Sequence, residues 1–282
     1  MSDSQGDPNP HRFQDARLTI EGAVAVFTHD RPDQRNALSE GLQASYSRML
    51  DVVQADRRIR ALVITGSGGS FCAGGDLNLL AARQADPDPD VRSADAVRAR
   101  VAAAHRWVNR LRSLQIPVVA AVDGPAMGAG FSLALAADFI FASTRGVFCM
   151  SFSKVGLIPD LGAFYLLPRI VGLQMAKELA MTARRVDAEE GRRLGFVHSI
   201  YEKDRVLPEA VNFAQRFSDG PREAIGLSKT LMNASFETDY ATLAELEGQG
   251  QAIASTASYH ASAVASFLSR KPLTYDWDRR GT

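Results

Sequence analysis

The stretch Asp123-Gly124-Pro125-Ala126-Met127-Gly128-Ala129-Gly130 follows the apolar run Val118–Val122 and leads into 129–137, a small-residue run with helical character. A second stretch, Phe71-Cys72-Ala73-Gly74-Gly75-Asp76-Leu77, repeats that layout behind the β-branched run Ala61–Thr65. Each reads as strand, small-residue loop, helix. Small residues let a ligand come close to the backbone, and free N–H groups at a helix start favour negative charge. Two such loops facing one another would supply two donors to an oxyanion. Two tight turns packed for their own sake would look the same from local pattern.

Outward from these loops, the N-terminal side reads as strands Arg17–Ile20 and Val24–Thr28, then a helix capped by Ser39 and running to about Ala55. That helix places Leu42, Tyr46, Leu50 and Val53 on one face. Arg60–Gly66 predicts a buried strand, and a short helix begins at Asp76. Residues 84–97, centred on DPDPD, read as a mobile surface loop or lid. A long helix at 94–114, a strand at 117–123 and a loop at 124–128 follow. Strands Phe139–Ala142 and Val147–Cys149 precede the turn Ile158-Pro159-Asp160. Helices dominate from Gly162, broken by one strand at Phe196–Ile200. The repeated strand–strand–helix order predicts an α/β fold of stacked ββα units.

Three regions are expected: a disordered tail at 1–15, the ββα core at 16–203 and a helical C-terminal region at 204–282. The last carries Leu227, Leu231, Leu243, Leu246, Ile253, Val264 and Phe267 on faces suited to the core or a sister subunit. Acidic and basic residues balance at 32 each, which leaves no global field to attract nucleic acid or an anionic membrane. Cys72 and Cys149 alone fit a reduced, cytoplasmic protein better than a disulfide scaffold. The polar N-terminus lacks a signal-peptide core, and no apolar run reaches the roughly 20 residues of a membrane span.

Rival motifs fail in part. Leu133 stands where a dinucleotide fingerprint needs its third glycine, and no phosphate-binding Gly-Lys-Ser/Thr sequence exists. Gly130-Phe131-Ser132-Leu133-Ala134 approximates a nucleophile elbow, but it needs a histidine and a carboxylate converging on Ser132. His11, His29, His198 and His260 have no motif around them, and no cluster has metal-ligand spacing, so no metal is expected.

Several landmarks, in order, give the chain a resemblance to the crotonase (enoyl-CoA hydratase/isomerase) superfamily, from about Arg17 to Lys271. They are Arg35-Asn36-Ala37-Leu38, the 71–77 stretch, Ile116-Pro117-Val118-Val119-Ala120-Ala121-Val122-Asp123-Gly124, Gly156-Leu157-Ile158-Pro159-Asp160 and Leu167-Pro168-Arg169-Ile170-Val171-Gly172. The resemblance implies a crotonase-like fold whose C-terminal helices build a homotrimer or dimer of trimers. It implies an acyl-CoA substrate, with no cofactor beyond the coenzyme A of that substrate. It implies an oxyanion hole at the N–H groups of Gly75 and Ala129, where alanine replaces the usual glycine but keeps its N–H. Arg35 would approach the CoA phosphates, and Ala37, Ala73, Asp76 and Leu77 would line the adenine and pantetheine channel. Arg270 and Lys271 fall where relatives reach the nucleotide with a basic residue.

The reaction depends on side chains around the acyl group. Hydratases similar to this chain carry two glutamates, and counting from the motifs puts those positions at Ser132 and Phe152. Neither activates water, so the two-glutamate mechanism is disfavoured. Asp160 remains, at a position where similar isomerases and dehalogenases place an aspartate; it also suits a helix N-cap after the Pro turn. One carboxylate suffices to move a proton between carbons, so an enoyl-CoA isomerase with Asp160 as proton shuttle is expected; a divergent hydratase, an Asp/His-dependent hydrolase or dehalogenase and a non-catalytic CoA-ligand scaffold are the alternatives. His105 matches the water-activating histidine of aroyl-CoA dehalogenases, which would pair it with Asp160; a packing or surface role is the plainer alternative. Trp107, Met127, Phe131 and Phe164 fit either an aromatic acyl pocket or ordinary core.

Overall fold

The computed structural model describes residues 11–278. Strand β1 (His11–Arg12) pairs antiparallel with β2 (Ala16–Glu21), which pairs antiparallel with β3 (Val24–His29). Ser39 then caps α1 (Glu40–Ala55), its Oγ accepting the Leu42 N–H at 2.9 Å. β4 (Ala61–Gly66) is followed by α2 (Leu77–Ala85), α3 (Pro89–Arg92) and α4 (Ala94–Arg112). β5 (Val118–Val122), β6 (Pro125–Met127), α5 (Ala129–Leu135), β7 (Phe139–Ser143) and β8 (Val147–Cys149) come next. A 3-10 turn at Ser151–Val155 leads to α6 (Ala163–Val171), α7 (Leu173–Thr182), β9 (Val186–Asp187), α8 (Ala188–Arg193) and β10 (Ser199–Tyr201). Helices α9 (Val206–Gln215), α10 (Arg222–Ala234), α11 (Tyr240–Thr256) and α12 (Ser258–Leu268) complete the described chain.

The strands form a seven-stranded sheet, ordered β1-β2-β3-β4-β5-β7-β10, and a three-stranded sheet, β6-β8-β9. From β3 to β10 the large sheet is parallel. Each ββα unit sends one strand to the large sheet and a short one to the small: β5 then β6 before α5, and β7 then β8. In the β4 unit the short strand shrinks to one bridge between Cys72 and Ala126. These are the stacked units that the strand–strand–helix order predicts.

Alternation along the strands divides the core. Val24, Val26, Ala61, Val63, Val119, Ala121 and Phe141 face α9, through Val206, Ala210 and Ala214. Their neighbours Ala25, Phe27, Leu62, Ile64, Ala120, Val122 and Ile140 face the other way, toward Leu42, Tyr46, Met49 and Leu50 of α1. The central strands are therefore buried on both faces, as parallel sheets require.

Three expectations need correction. Residues 84–97 are not an open loop: Asp88 caps α3 through the Asp90 N–H (2.9 Å), and Ser93 caps α4. Residues 124–128 contain β6, which pairs parallel with β8. Order begins before residue 16, since His11 and Arg12 pair with Leu18 and Arg17; residues 1–10 of the expected tail lie outside the described residues. Part of the C-terminal helical region packs on the core, one of the two arrangements expected of it: α9 seals the sheet.

Candidate active site

The two glycine-rich loops are strapped together. Cys72 donates its N–H to Pro125 O at 3.1 Å, and Met127 donates to Cys72 O at 2.9 Å. On the outer side, Leu38 donates to Gly74 O (2.7 Å) and Ala73 to Arg35 O (2.9 Å). Contact is so close that side chains are excluded. A Cβ at Gly74, where φ is +98°, would stand 2.7 Å from Met127 O and 3.8 Å from the Ala129 nitrogen. One at Gly130 would stand 2.3 Å from Cys72 O.

Gly75 is exposed beyond this contact, and Ala129 opens α5. Neither N–H donates to another described residue. Ala129 is not among the positive-φ residues; Gly128 before it takes the turn, with φ +50° and ψ −119°. The alanine therefore costs the loop nothing in backbone strain.

Phe152 sits against this turn, its ring 3.8 Å from where a Gly128 Cβ would lie, and it is 8% exposed. Ser132 is fully buried inside α5, and its Oγ turns back toward Gly128 O at 3.4 Å. Among the described residues no histidine or carboxylate hydrogen-bonds to it, so the nucleophile-elbow reading lacks its base. Expected at the substrate, Ser132 instead shows no exposed surface.

Asp160 occupies the turn before α6, and its Oδ1 is buried with no hydrogen-bond partner among the described residues. It does not cap α6: the N-cap is Gly162, and no side chain caps that helix. The backbone holds it stiffly, with Ala163 N–H on Asp160 O (3.1 Å) and positive φ at Leu161 (+51°) and Gly162 (+88°). A left-handed leucine is a strained feature of the kind found at functional sites. Burial pushes the Asp160 carboxyl above the usual range, and the charge of His105 pulls it partly back. The sequence-predicted pair is thus brought within electrostatic reach. Leu161 shares one core cluster with Ala129 and Phe152, and α5 packs against α6.

The residues expected to line the channel also converge. A parallel bridge between Leu38 and Gly75 brings Ala37 level with Gly74, between Ala73 and Gly75, and Arg31 links the Ala37 carbonyl to the Asp76 carboxylate. Arg35 is exposed, in the left-handed region (φ +49°), and its guanidinium pairs with no described residue. Leu77 is 61% exposed. Asp76 is committed structurally: it caps α2 through the Asn78 and Leu79 N–H groups and pairs with Arg31 at 3.0 Å. Trp107 and Phe131 belong to the core, Trp107 stacked on Tyr46 at 4.5 Å and Phe131 packed on Phe148 and Phe196. Met127 lies half-buried in β6, Phe164 is 60% exposed, and Arg270 and Lys271 are exposed.

Three residues that local sequence patterns pass over hold the loops in place. Arg31 joins Asp76, Asp15 and the Ala37 carbonyl. Asn36 Nδ2 donates to Ser67 O and Ser70 O, tying down the approach to Gly75. His29 donates to Phe71 O. A signal existed for Asn36, which lies inside a quoted landmark; none existed for the others. Among the described residues, no group of three or more potential ligands could hold a metal, and no helix is long and apolar enough to cross a membrane.

Comparison with known proteins agrees with this architecture. The enoyl-CoA hydratase/isomerase family model matches residues 19–277. A 1,2-epoxyphenylacetyl-CoA isomerase of Escherichia coli (strain K12) is 32% identical over 256 residues, covering 89% of this chain and 94% of that protein. An enoyl-CoA hydratase/isomerase of Cupriavidus metallidurans CH34 superposes with a TM-score of 0.89 at 34% identity, over 96% of this chain and 100% of the other. An enoyl-CoA hydratase of Polaromonas sp. JS666 gives 0.84, also at 34% identity, over 91% and 97%. Isomerases and hydratases both stand among these relatives, and the chain belongs to the enoyl-CoA hydratase/isomerase family.

Proposed function

We propose that the protein is an acyl-CoA isomerase that carries its substrate through a thioester enolate, with Asp160 as the proton shuttle. The observation that carries this reading is the buried, unpartnered Oδ1 of Asp160, beside a site whose positions 132 and 152 hold serine and phenylalanine. A 3-enoyl thioester would lose its C2 proton to the Asp160 carboxylate. The electrons move onto the thioester oxygen, to which the N–H groups of Gly75 and Ala129 donate hydrogen bonds as its charge develops; each such donor is worth about 10²–10³ in rate. The protonated Asp160 then returns the proton to C4, the electrons flow back, and the double bond lies between C2 and C3. Base and acid are one group, so no water is activated and no second carboxylate is needed.

The E. coli relative, named as an isomerase of a CoA thioester, supports that preference. Arg35, with its free exposed guanidinium, suits the CoA phosphates. The backbone rim of Ala37, Ala73, Asp76 and Leu77 suits the pantetheine arm. Phe152 would wall the acyl group. Exposed Phe267 and Leu268 on α12, with Tyr240 on α11, support a homotrimer or dimer of trimers.

A second reading takes Asp160 as nucleophile and His105 as base toward water, as in a hydrolase or dehalogenase. It is favoured by the His105 charge acting on Asp160. Turnover of 3-hexenoyl-CoA in water labelled with deuterium and oxygen-18 separates the readings. Deuterium on carbon without new oxygen is the outcome expected of the isomerase. New oxygen in the product defeats it, in favour of hydration or hydrolysis.

A further inference from the structure

His29 is fully buried on β3, between α1 and the loop that carries Gly75. Its Nδ1 lies 2.9 Å from Phe71 O and its Nε2 lies 2.6 Å from Tyr46 Oη. A carbonyl oxygen only accepts, so Nδ1 carries the proton and Nε2 accepts from the tyrosine hydroxyl. Tyr46 in turn is fully buried and stacked on Trp107. The result is a directed relay, Tyr46 O–H to His29 to the Phe71 carbonyl.

Phe71 begins the 71–77 loop and is itself fully buried. No other described donor reaches its carbonyl. Leaving that oxygen bare in the core would cost more than the bond itself contributes. Two apolar side chains of similar size would fill the volume of His29 and Tyr46 without any polar debt. What they could not supply is an N–H on Phe71 O. Three neighbouring carbonyls are held by other donors: Ser70 by Asn36, Cys72 by Met127, Gly74 by Leu38. The Phe71 carbonyl is the point where α1 and β3 fix the peptide planes that lead to Gly75.

We propose that His29, oriented by Tyr46, is a positioning residue for the first oxyanion loop, fixing the Phe71 carbonyl and through it the direction of the Gly75 N–H. This rests on the reading of Gly75 as an oxyanion donor. His29 touches no substrate; it acts through the loop.

The test compares His29→Asn, whose amide N–H falls where Nδ1 was, with His29→Gln, whose amide falls near Nε2. Both are polar and of similar bulk, so a role in packing alone treats them alike. With 3-hexenoyl-CoA, His29→Gln and His29→Leu are expected to lower kcat by about tenfold or more with KM changed little, and His29→Asn to recover most of it. Deuterium exchange of the 71–77 backbone, followed by mass spectrometry, needs no turnover. It should quicken in His29→Gln and return to the wild-type rate in His29→Asn. Equal behaviour of Asn and Gln variants in both measurements would overturn the proposal. If wild type leaves 3-hexenoyl-CoA unchanged, the isomerase reading fails, and the exchange rates alone decide the role of His29.

Discussion

A Cβ on Gly74 would stand 2.7 Å from the carbonyl oxygen of Met127, so the two loops meet where no side chain fits. Gly74 also sits at φ +98°, a conformation that L residues rarely adopt. Gly74→Ala must therefore push the 71–77 loop off the 123–130 loop. Strain of about 1–3 kcal/mol is expected, and an ångström of displacement at the donors costs about a hundredfold in kcat. Steady-state kinetics beside a melting curve check this; unchanged kcat would show that the contact does not set the donor geometry.

Asp160, the proposed proton shuttle, sets the expected pH dependence. Its carboxyl is raised by burial, and the base form is the ionised one. Activity should fall with decreasing pH through an inflection above the ordinary aspartate value. His105→Gln removes the charge that pulls the carboxyl down, so the inflection should move higher. The stability sign follows: a folded-state value raised above the unfolded one favours the fold at low pH, and that contribution is lost as pH rises through it. Asp160→Asn should therefore gain stability relative to wild type more at about pH 7 than at about pH 4. A gain that shrinks with rising pH contradicts the assignment.

His29 carries the opposite sign. Burial lowers it from 6.5 to about 4, with the Phe71 carbonyl bond opposing. Its contribution is complete above the unfolded value and is lost as pH falls toward the folded one. The loss amounts to roughly 3 kcal/mol across that window. Urea denaturation at several pH values should show it in wild type and not in His29→Leu.

Lys229 of α10 reaches Asp138 Oδ2 at 2.6 Å and Ile116 O at 3.0 Å, and Asp138 Oδ2 also accepts the Val118 N–H at 2.7 Å. Burial opposes both charges, lowering the lysine and raising the aspartate. Removing one partner strands the other, so Lys229→Met should cost about 3 kcal/mol. Lys229→Met with Asp138→Asn should cost less than the two changes summed. Strict additivity in a double-mutant cycle would refute the coupling.

Much of the fold is legible locally. Ser39 announces α1 because its hydroxyl caps the third residue onward, and the β-branched runs announce β3, β4 and β5 because both faces are buried. Short elements are not legible. β6 has three residues and opens with Pro125, which reads as loop until a partner strand is found. α3 hides in DPDPD, where Asp88 and Pro89 that look like loop chemistry are a cap and a first helical residue. At the candidate site, Gly75, Ala129 and Asp160 are singled out by motif order. Arg31 and His29 are not, and Asn36 only as a member of a landmark, because Asp76, Phe71, Ser67 and Ser70, the partners that tie them to the loop, lie 31 to 45 residues away and only the fold brings them close. The His29–Tyr46 contact, 17 residues apart, was equally silent.

The central claim is that Asp160 moves the proton. The direct measurement is wild type against Asp160→Asn with 3-hexenoyl-CoA in deuterated water, following both the conjugated product and deuterium on carbon. The account predicts that the variant loses both together, by about 10²–10⁴, while still binding the thioester. An Asp160→Asn protein that isomerises and exchanges at the wild-type rate would contradict it.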